Sequence, residues 1–223
     1  MATKIIVSYD GTDNDRDALA LGKLFAAAGA SVALAYVRHA PEGKSSAERL
    51  AEQDAKALLD AGAESLGAPD VTTHVVLSGS TPDGLRGLAN DLEAQAIVFG
   101  SEYRTAPGHV DPQASARRLI DGGPMAVALA PSGFHARTDY VAGAVGVVAE
   151  DGDPCVLETA ESIASKLHGS IAPRATADVG FMVVGSKPGT VTGRVRISAA
   201  ADYLIELALC PVLVLPRGVA VLF

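Results

Sequence analysis

Two aspartates, each followed by glycine at the end of an apolar run, are the first residues with chemical potential: Asp10-Gly11 and Asp151-Gly152. A strand-end carboxylate can hold a ribose hydroxyl or cap the turn that follows it. For Asp10 both readings stand; for Asp151 capping is the better one. Asp13, Asp15 and Asp17 follow at a helix start, where carboxylates complement the dipole, and this accounts for them better than a cation loop. Patterns for catalysis are scarce. Gly43-Lys44-Ser45 mimics the end of a P-loop, but the first glycine of that motif would fall on Arg38, so the match is accidental. There is no Gly-x-Ser-x-Gly elbow and no His-x-x-x-His pair. His39, His74, His109, His135 and His168 are dispersed without ligand spacing and default to surface or capping roles. No nucleophile or general base can be named, so the expectation is a protein that is not an enzyme and holds no metal.

The elements that position these residues alternate. Strands are expected at 4–9, 31–37, 71–77, 96–99 and 125–130, with helices between them. The first helix shows Ala18, Leu21, Phe25 and Ala28 on one face and stops at Gly29. The second carries a stripe of Ala47, Leu50, Ala51, Ala55, Leu58, Leu59 and Gly62. The third spans 81–92 and the fourth 112–121. Repeated βα units of this size imply a parallel sheet with helices on both faces and right-handed crossovers. Residues 132–141 lack periodicity and carry turn residues, so they read as a linker. A shorter series follows, with strands at 142–149, 181–184 and 212–215 and helices at 154–167 and 198–209.

Composition limits the function classes. The 223 residues are 48% hydrophobic and 20% charged, with no Trp, which is the make-up of a compact α/β protein with an aliphatic core. A formal net charge of -8 with no Lys/Arg block disfavours nucleic acid. No apolar run approaches the ~18–20 residues a membrane span needs, and the start is too short for a signal-peptide core, so the expected location is the cytoplasm. Cys155 and Cys210 lie far apart without a Cys-x-x-Cys spacing and read as buried free thiols.

The two series are copies. Asp10 maps to Asp151 at an offset of 141, whereas Gly100-Ser101 maps to Gly185-Ser186 at an offset of only 85. The second copy is therefore short by 56 positions, all lost between its first strand and the strand before Gly185. That loss removes the equivalents of the second and third strands and about two helices. The expected organisation is a complete domain over 1–131, a linker at 132–141 and a truncated domain over 142–223.

The strings Ile-Ile-Val-Ser-Tyr-Asp-Gly, Ile-Val-Phe-Gly-Ser and Arg-Leu-Ile-Asp-Gly-Gly-Pro-Met-Ala-Val-Ala-Leu-Ala-Pro, in this order, resemble a universal stress protein domain. Val-Val-Gly-Ser and Leu-Cys-Pro-Val-Leu-Val-Leu-Pro resemble the C-terminal half of the same family. The resemblance implies an α/β fold with an open, parallel five-stranded sheet in order 3-2-1-4-5, here followed by a shortened copy with strands 1-4-5. It also implies dimers paired through their fifth strands. In a tandem chain that pairing can be internal, so 125–130 is expected beside 211–215 as an intramolecular pseudo-dimer, with a homodimer still open.

ATP-binding members of the family have an acidic residue after the first strand, an apolar one after the second, and a Gly-x2-Gly-x9-Gly-Ser/Thr phosphate loop. The resemblance makes Asp10, Val37, Gly79 and Gly100 the candidate nucleotide crevice. Counting from Gly100, however, the later loop positions are Tyr103, Gln113 and Ala114, so side chains take space that bare backbone would give to phosphate. Asp111-Pro112 reads as an N-cap and first helical residue, which would turn an internal carboxylate on the helix end. From Gly185 the positions are Pro188, Ser198 and Ala199, yet Lys187, Arg194 and Arg196, with Thr190 and Thr192, suit an anion. Arg194 and Arg196 are the candidate anion loop, and a solvated flexible loop is the competing reading. The expectation is a non-catalytic stress-response or regulatory protein with degenerate ATP loops, no firm cofactor and an unknown protein partner. The alternatives are a sensor that binds ATP or AMP weakly in the first crevice, and an adenylate-dependent enzyme of related fold. The apolar end, residues 219–223, is expected to add an edge strand or bury itself against a partner.

Overall fold

The computed structural model describes residues 2–39, 45–67, 70–172 and 179–223, with backbone only over 45–51. Gly43 and Lys44 of the P-loop-like string, and the side chains of Ala47, Leu50 and Ala51, lie outside the described residues.

Strands β1 (Lys4–Ser8), β4 (Ala96–Gly100) and β5 (Ala126–Ala130) form the centre of the first copy. β4 and β5 are buried along their whole length, because helices cover both faces of the sheet. β2 (Ser31–Arg38) and β3 (Thr72–Leu77) complete it on one side. Helices α1 (Asp15–Ala27), α2 (Ser45–Leu66), α3 (Thr81–Leu92) and α4 (Ala114–Ile120) make the crossovers. α3 starts where its residues require: the Ser80 hydroxyl accepts from the amide of Asp83, and Pro82 sits in the first turn, where a missing N–H costs nothing.

α4 starts two residues later than the Asp-Pro signal suggests. Ser101 and Pro112 form an antiparallel bridge, and the amide of Glu102 donates to the Asp111 carbonyl at 2.9 Å. That pairing holds 111–112 extended, so Gln113 becomes the N-cap and has no side-chain cap bond. The Asp111 carboxylate pairs instead with Arg117 at 3.0 Å, which corrects its expected role as the helix cap.

The second copy contains β6 (Ala144–Val148), α5 (Pro154–Lys166), β8 (Phe181–Val184), α6 (Ala199–Leu207) and β9 (Val212–Val214). Two short elements lie outside the sequence expectation: a 3-10 turn at Phe134–Ala136 in the linker, and the two-residue strand β7 (Ser170–Ile171), parallel to β6 at the outer edge, where a second strand would lie. All strands join one nine-stranded sheet in order β3-β2-β1-β4-β5-β9-β8-β6-β7.

Every neighbouring pair is parallel except β5 and β9, which run antiparallel. Their register is two-fold: Ala128 faces Leu213, its own equivalent at the offset of 85, flanked by Val127 opposite Val214 and Leu129 opposite Val212. The expected pairing of 125–130 with 211–215 is present. A cluster of buried side chains lies on each face, and each draws on both copies. Ala128, Ala130, Val183 and Leu213 point to the α1/α5 face, while Val127, Leu129, Val184 and Val212 point to the other, the alternation a strand imposes.

Two segments tie the copies further. In the 132–141 linker, Phe134 is buried against Tyr140 (ring centroids 4.8 Å), and the Tyr140 hydroxyl donates to the carbonyl of Gly180. The apolar end forms no strand. Val221 is fully buried, Phe223 stacks on Phe25 of α1 at 4.9 Å, and the amides of Val221 and Phe223 donate to Thr159 and Ser162 of α5.

Candidate functional site

At the C-terminal ends of β1 and β4 lies a cavity of about 630 Å³. This is where an open α/β sheet reverses strand order and binds ligands. Of the four candidate crevice residues, only Asp10 lines it. The Asp10 carboxylate caps its turn by accepting from the amide of Thr12 at 3.1 Å. Val37 is 8% exposed, and its side chain packs under α3, where Gly84 leaves room for it. Gly79 has open space around it on the surface. Gly100 is closed over: a Cβ there would sit 2.1 Å from the carbonyl oxygen of Asn14. The Asn14 side-chain amide also donates to the carbonyl of Ser101, so the β1–α1 loop is laid directly on the end of β4. Gly100 serves that close approach of backbone to backbone.

The ionisable residues that line the cavity are mostly acidic. Asp10, Asp13, Asp17 and Glu102 contribute four carboxylates, and among the described lining residues His135 is the single group able to carry a positive charge. Tyr103 and Gln113 border the space without filling it. Asp17 is the organiser that sequence reasoning missed. Its buried carboxylate accepts from the amide of Gly133 at 2.9 Å and from the amide and Nδ1 of His135 at 2.8 and 2.7 Å, pinning the linker to α1. These partners are more than a hundred residues from Asp17, and no local pattern marks them.

Asp15 is buried beside them and accepts from the amides of Asp10 and Gly11 at 2.5 and 3.0 Å. Burial, reinforced by the adjacent Asp10 carboxyl, pushes the Asp15 carboxyl up to about 7. Helix-dipole complementation therefore places these aspartates correctly but leaves out their individual tasks. Among the described residues there is no group of His, Cys, Asp and Glu able to hold a metal ion.

The loop of the second copy repeats that of the first bond for bond. Ser101 donates to the carbonyl of Ala130 and accepts from the amide of Asp111; Ser186 donates to the carbonyl of Leu215 and accepts from the amide of Arg196. The amide of Gly108 reaches Ser132, and that of Gly193 reaches Arg217. This network and the fully buried Val195 give the loop internal anchors, while most of its residues stay exposed to solvent. Arg194 turns to the carbonyl of Gly122 at 3.3 Å, while Arg196 stands 4.0 Å from Asp121. Asp151 meets the backbone of Asp153 in its own turn, as the capping reading expects, and has a further partner. Arg217 grips it in a two-pronged ion pair at 2.7 and 2.5 Å and holds its carboxyl below the usual range, while Asp153 caps α5. Both cysteines are free; Cys210 is buried and its thiol is pushed up to about 12, whereas Cys155 is half-buried.

Among the described residues no helix is long and apolar enough to cross a membrane. A search of the curated proteins returns no match. Among solved structures, a universal stress protein from Archaeoglobus fulgidus DSM 4304 is similar over 96% of this chain and 98% of its own, with a TM-score of 0.71 and 13% identity. A functionally unknown protein from Pseudomonas aeruginosa PAO1 is similar over 97% and 93%, with a TM-score of 0.66 and 13% identity. At such identities these likenesses speak for the fold. The model of the universal stress protein family matches residues 1–115, more than half of the chain. With the strand order and the crevice in place, that match establishes that this chain belongs to the universal stress protein family.

Proposed function

We propose that this is a non-catalytic, regulatory universal stress protein whose first-copy crevice has lost its grip on a triphosphate, and which acts on a protein partner through the surface of its self-paired body. The observation that carries this reading is the sign of the crevice: four carboxylates and one imidazole line it, and that imidazole is bonded to Asp17. Two unit charges of like sign about 6 Å apart repel by ~0.7 kcal/mol in water and ~3 kcal/mol at the effective dielectric near a protein surface. Two carboxylates facing one phosphate thus weaken binding by about one to four powers of ten. Asn14 over Gly100 adds a steric reason, since the backbone a phosphate would approach is already covered. The symmetric β5–β9 register supports the second half of the reading, with one polypeptide standing where the family uses two.

Titration calorimetry of the full chain with ATP and with AMP, repeated on Asp10→Ala, tests it. The expected result is no nucleotide binding that depends on Asp10. Micromolar ATP binding by the wild type that Asp10→Ala abolishes would overturn the proposal.

A further inference from the structure

A second cavity, of about 510 Å³, lies where the two copies meet and has the opposite charge from the crevice. Arg117, Arg118, Lys187 and Arg196 line it, against Asp121 and Asp202. Its walls are related by the internal two-fold: Pro112 stands opposite its equivalent Ile197, and Arg117 opposite its equivalent Asp202, at the same offset of 85 that sets the β5–β9 register. Arg117 is shared among Asp111 at 3.0 Å, Asp202 at 3.5 Å and Glu206 at 3.8 Å, and Arg196 is 4.0 Å from Asp121. Arg118 and Lys187 have no ion-pair partner among the described residues. Asp83, which feels the charge of Arg118, is already paired with Arg86 at 2.7 Å. In a chain of net charge -8, two uncommitted cations beside two partly committed ones in one concavity form a local reversal of sign.

We propose that this cavity at the junction of the copies binds the phosphoryl group of a small molecule. A tetrahedral dianion needs several N–H donors converging from different directions, which guanidinium forks and a lysine point charge supply together. Pro112, Ile120 and Ile197 offer an apolar wall for the body of the ligand. The backbone that carries Lys187 and Arg196 is held in advance. The amide of Lys187 donates to the carbonyl of Arg196 at 2.7 Å, and Val195 exchanges two 2.8 Å backbone bonds with Gly122 and Gly123 of the first copy. A bound phosphoryl group touches 117–118 from one copy and 187–196 from the other, so its binding is linked to the junction and raises the melting temperature of the whole chain.

The test is titration calorimetry and thermal melting of the full chain with inorganic pyrophosphate at low salt, on the wild type, the double variant Arg118→Ala/Lys187→Ala, the single variant Lys187→Glu, and Asp10→Ala. The wild type binds saturably and melts higher with pyrophosphate, and its affinity falls as salt rises. Both cation variants bind at least about tenfold more weakly, the loss of one or two charge-assisted bonds, while their ligand-free melting stays that of the wild type. Asp10→Ala binds like the wild type. Absence of saturable binding by the wild type at millimolar pyrophosphate overturns the proposal, as does unchanged affinity in both cation variants or loss of binding in Asp10→Ala. ATP binding that survives Asp10→Ala but is lost in Lys187→Glu supports this site and leaves the reading of the crevice intact.

Discussion

Replacing Gly100 by alanine separates a glycine kept for packing from one kept for a ligand. The added Cβ would lie 2.1 Å from the Asn14 carbonyl oxygen and 2.9 Å from its carbon. Both are backbone atoms, so no side-chain rotation relieves the clash, and the start of α1 must withdraw by roughly 1 Å. That shift disturbs Asp15 and Asp17, whose bonds to Gly11 and Gly133 fix the crevice rim and the linker. Overpacking of this kind costs about 2–3 kcal/mol, or ~4–12 °C of melting temperature for a chain of this size. Gly79→Ala is the control, because its Cβ would meet nothing within 4 Å. It is expected to stay within ~0.5 kcal/mol of the wild type. Urea and thermal melts of both variants, without any ligand, give the answer. A Gly100→Ala protein as stable as Gly79→Ala would refute the packing argument and return Gly100 to a ligand role.

Asp15 and the docked end of the chain give further outcomes. Folding raises the Asp15 carboxyl from 3.8 to about 7, so the folded protein keeps a proton that the unfolded chain has released. Its contribution is therefore most favourable below 3.8, declines as pH rises to about 7 and is level above that. Asp15→Asn removes this titration while keeping an acceptor for the amides of Asp10 and Gly11, so its stability relative to wild type in urea melts should rise across that window and then flatten; a difference independent of pH would contradict the assignment. At the other end of the chain, Phe223→Ala loses the stack on Phe25 and should cost about 1–3 kcal/mol. Limited trypsinolysis should leave the segment after Arg217 attached in the native protein; its immediate release would contradict a docked end.

Most of the architecture was legible because it is written in local periods and in a repeat. The offset of 85 located a loop that recurs hydrogen bond for hydrogen bond, and α3 carries its own start signal in Ser80 and Pro82. What was not legible depends on distant partners. Asp111-Pro112 has the local form of a helix start, but the bridge to Ser101 overrides it. β7 is two residues long and shows no alternation to read. The family resemblance places Val37 at the crevice, whereas its own alternation with Ala33 and Ala35 already points it under α3. Asp17 and His135 meet only once the linker folds back, and Arg117 and Asp202 only once the copies pair.

The most direct check of the account is a crystal structure of the full chain grown with ATP. The expected result is a crevice in which Asn14 stays on Gly100 and no phosphate lies along residues 100–114. A triphosphate cradled by the backbone of that segment would contradict it.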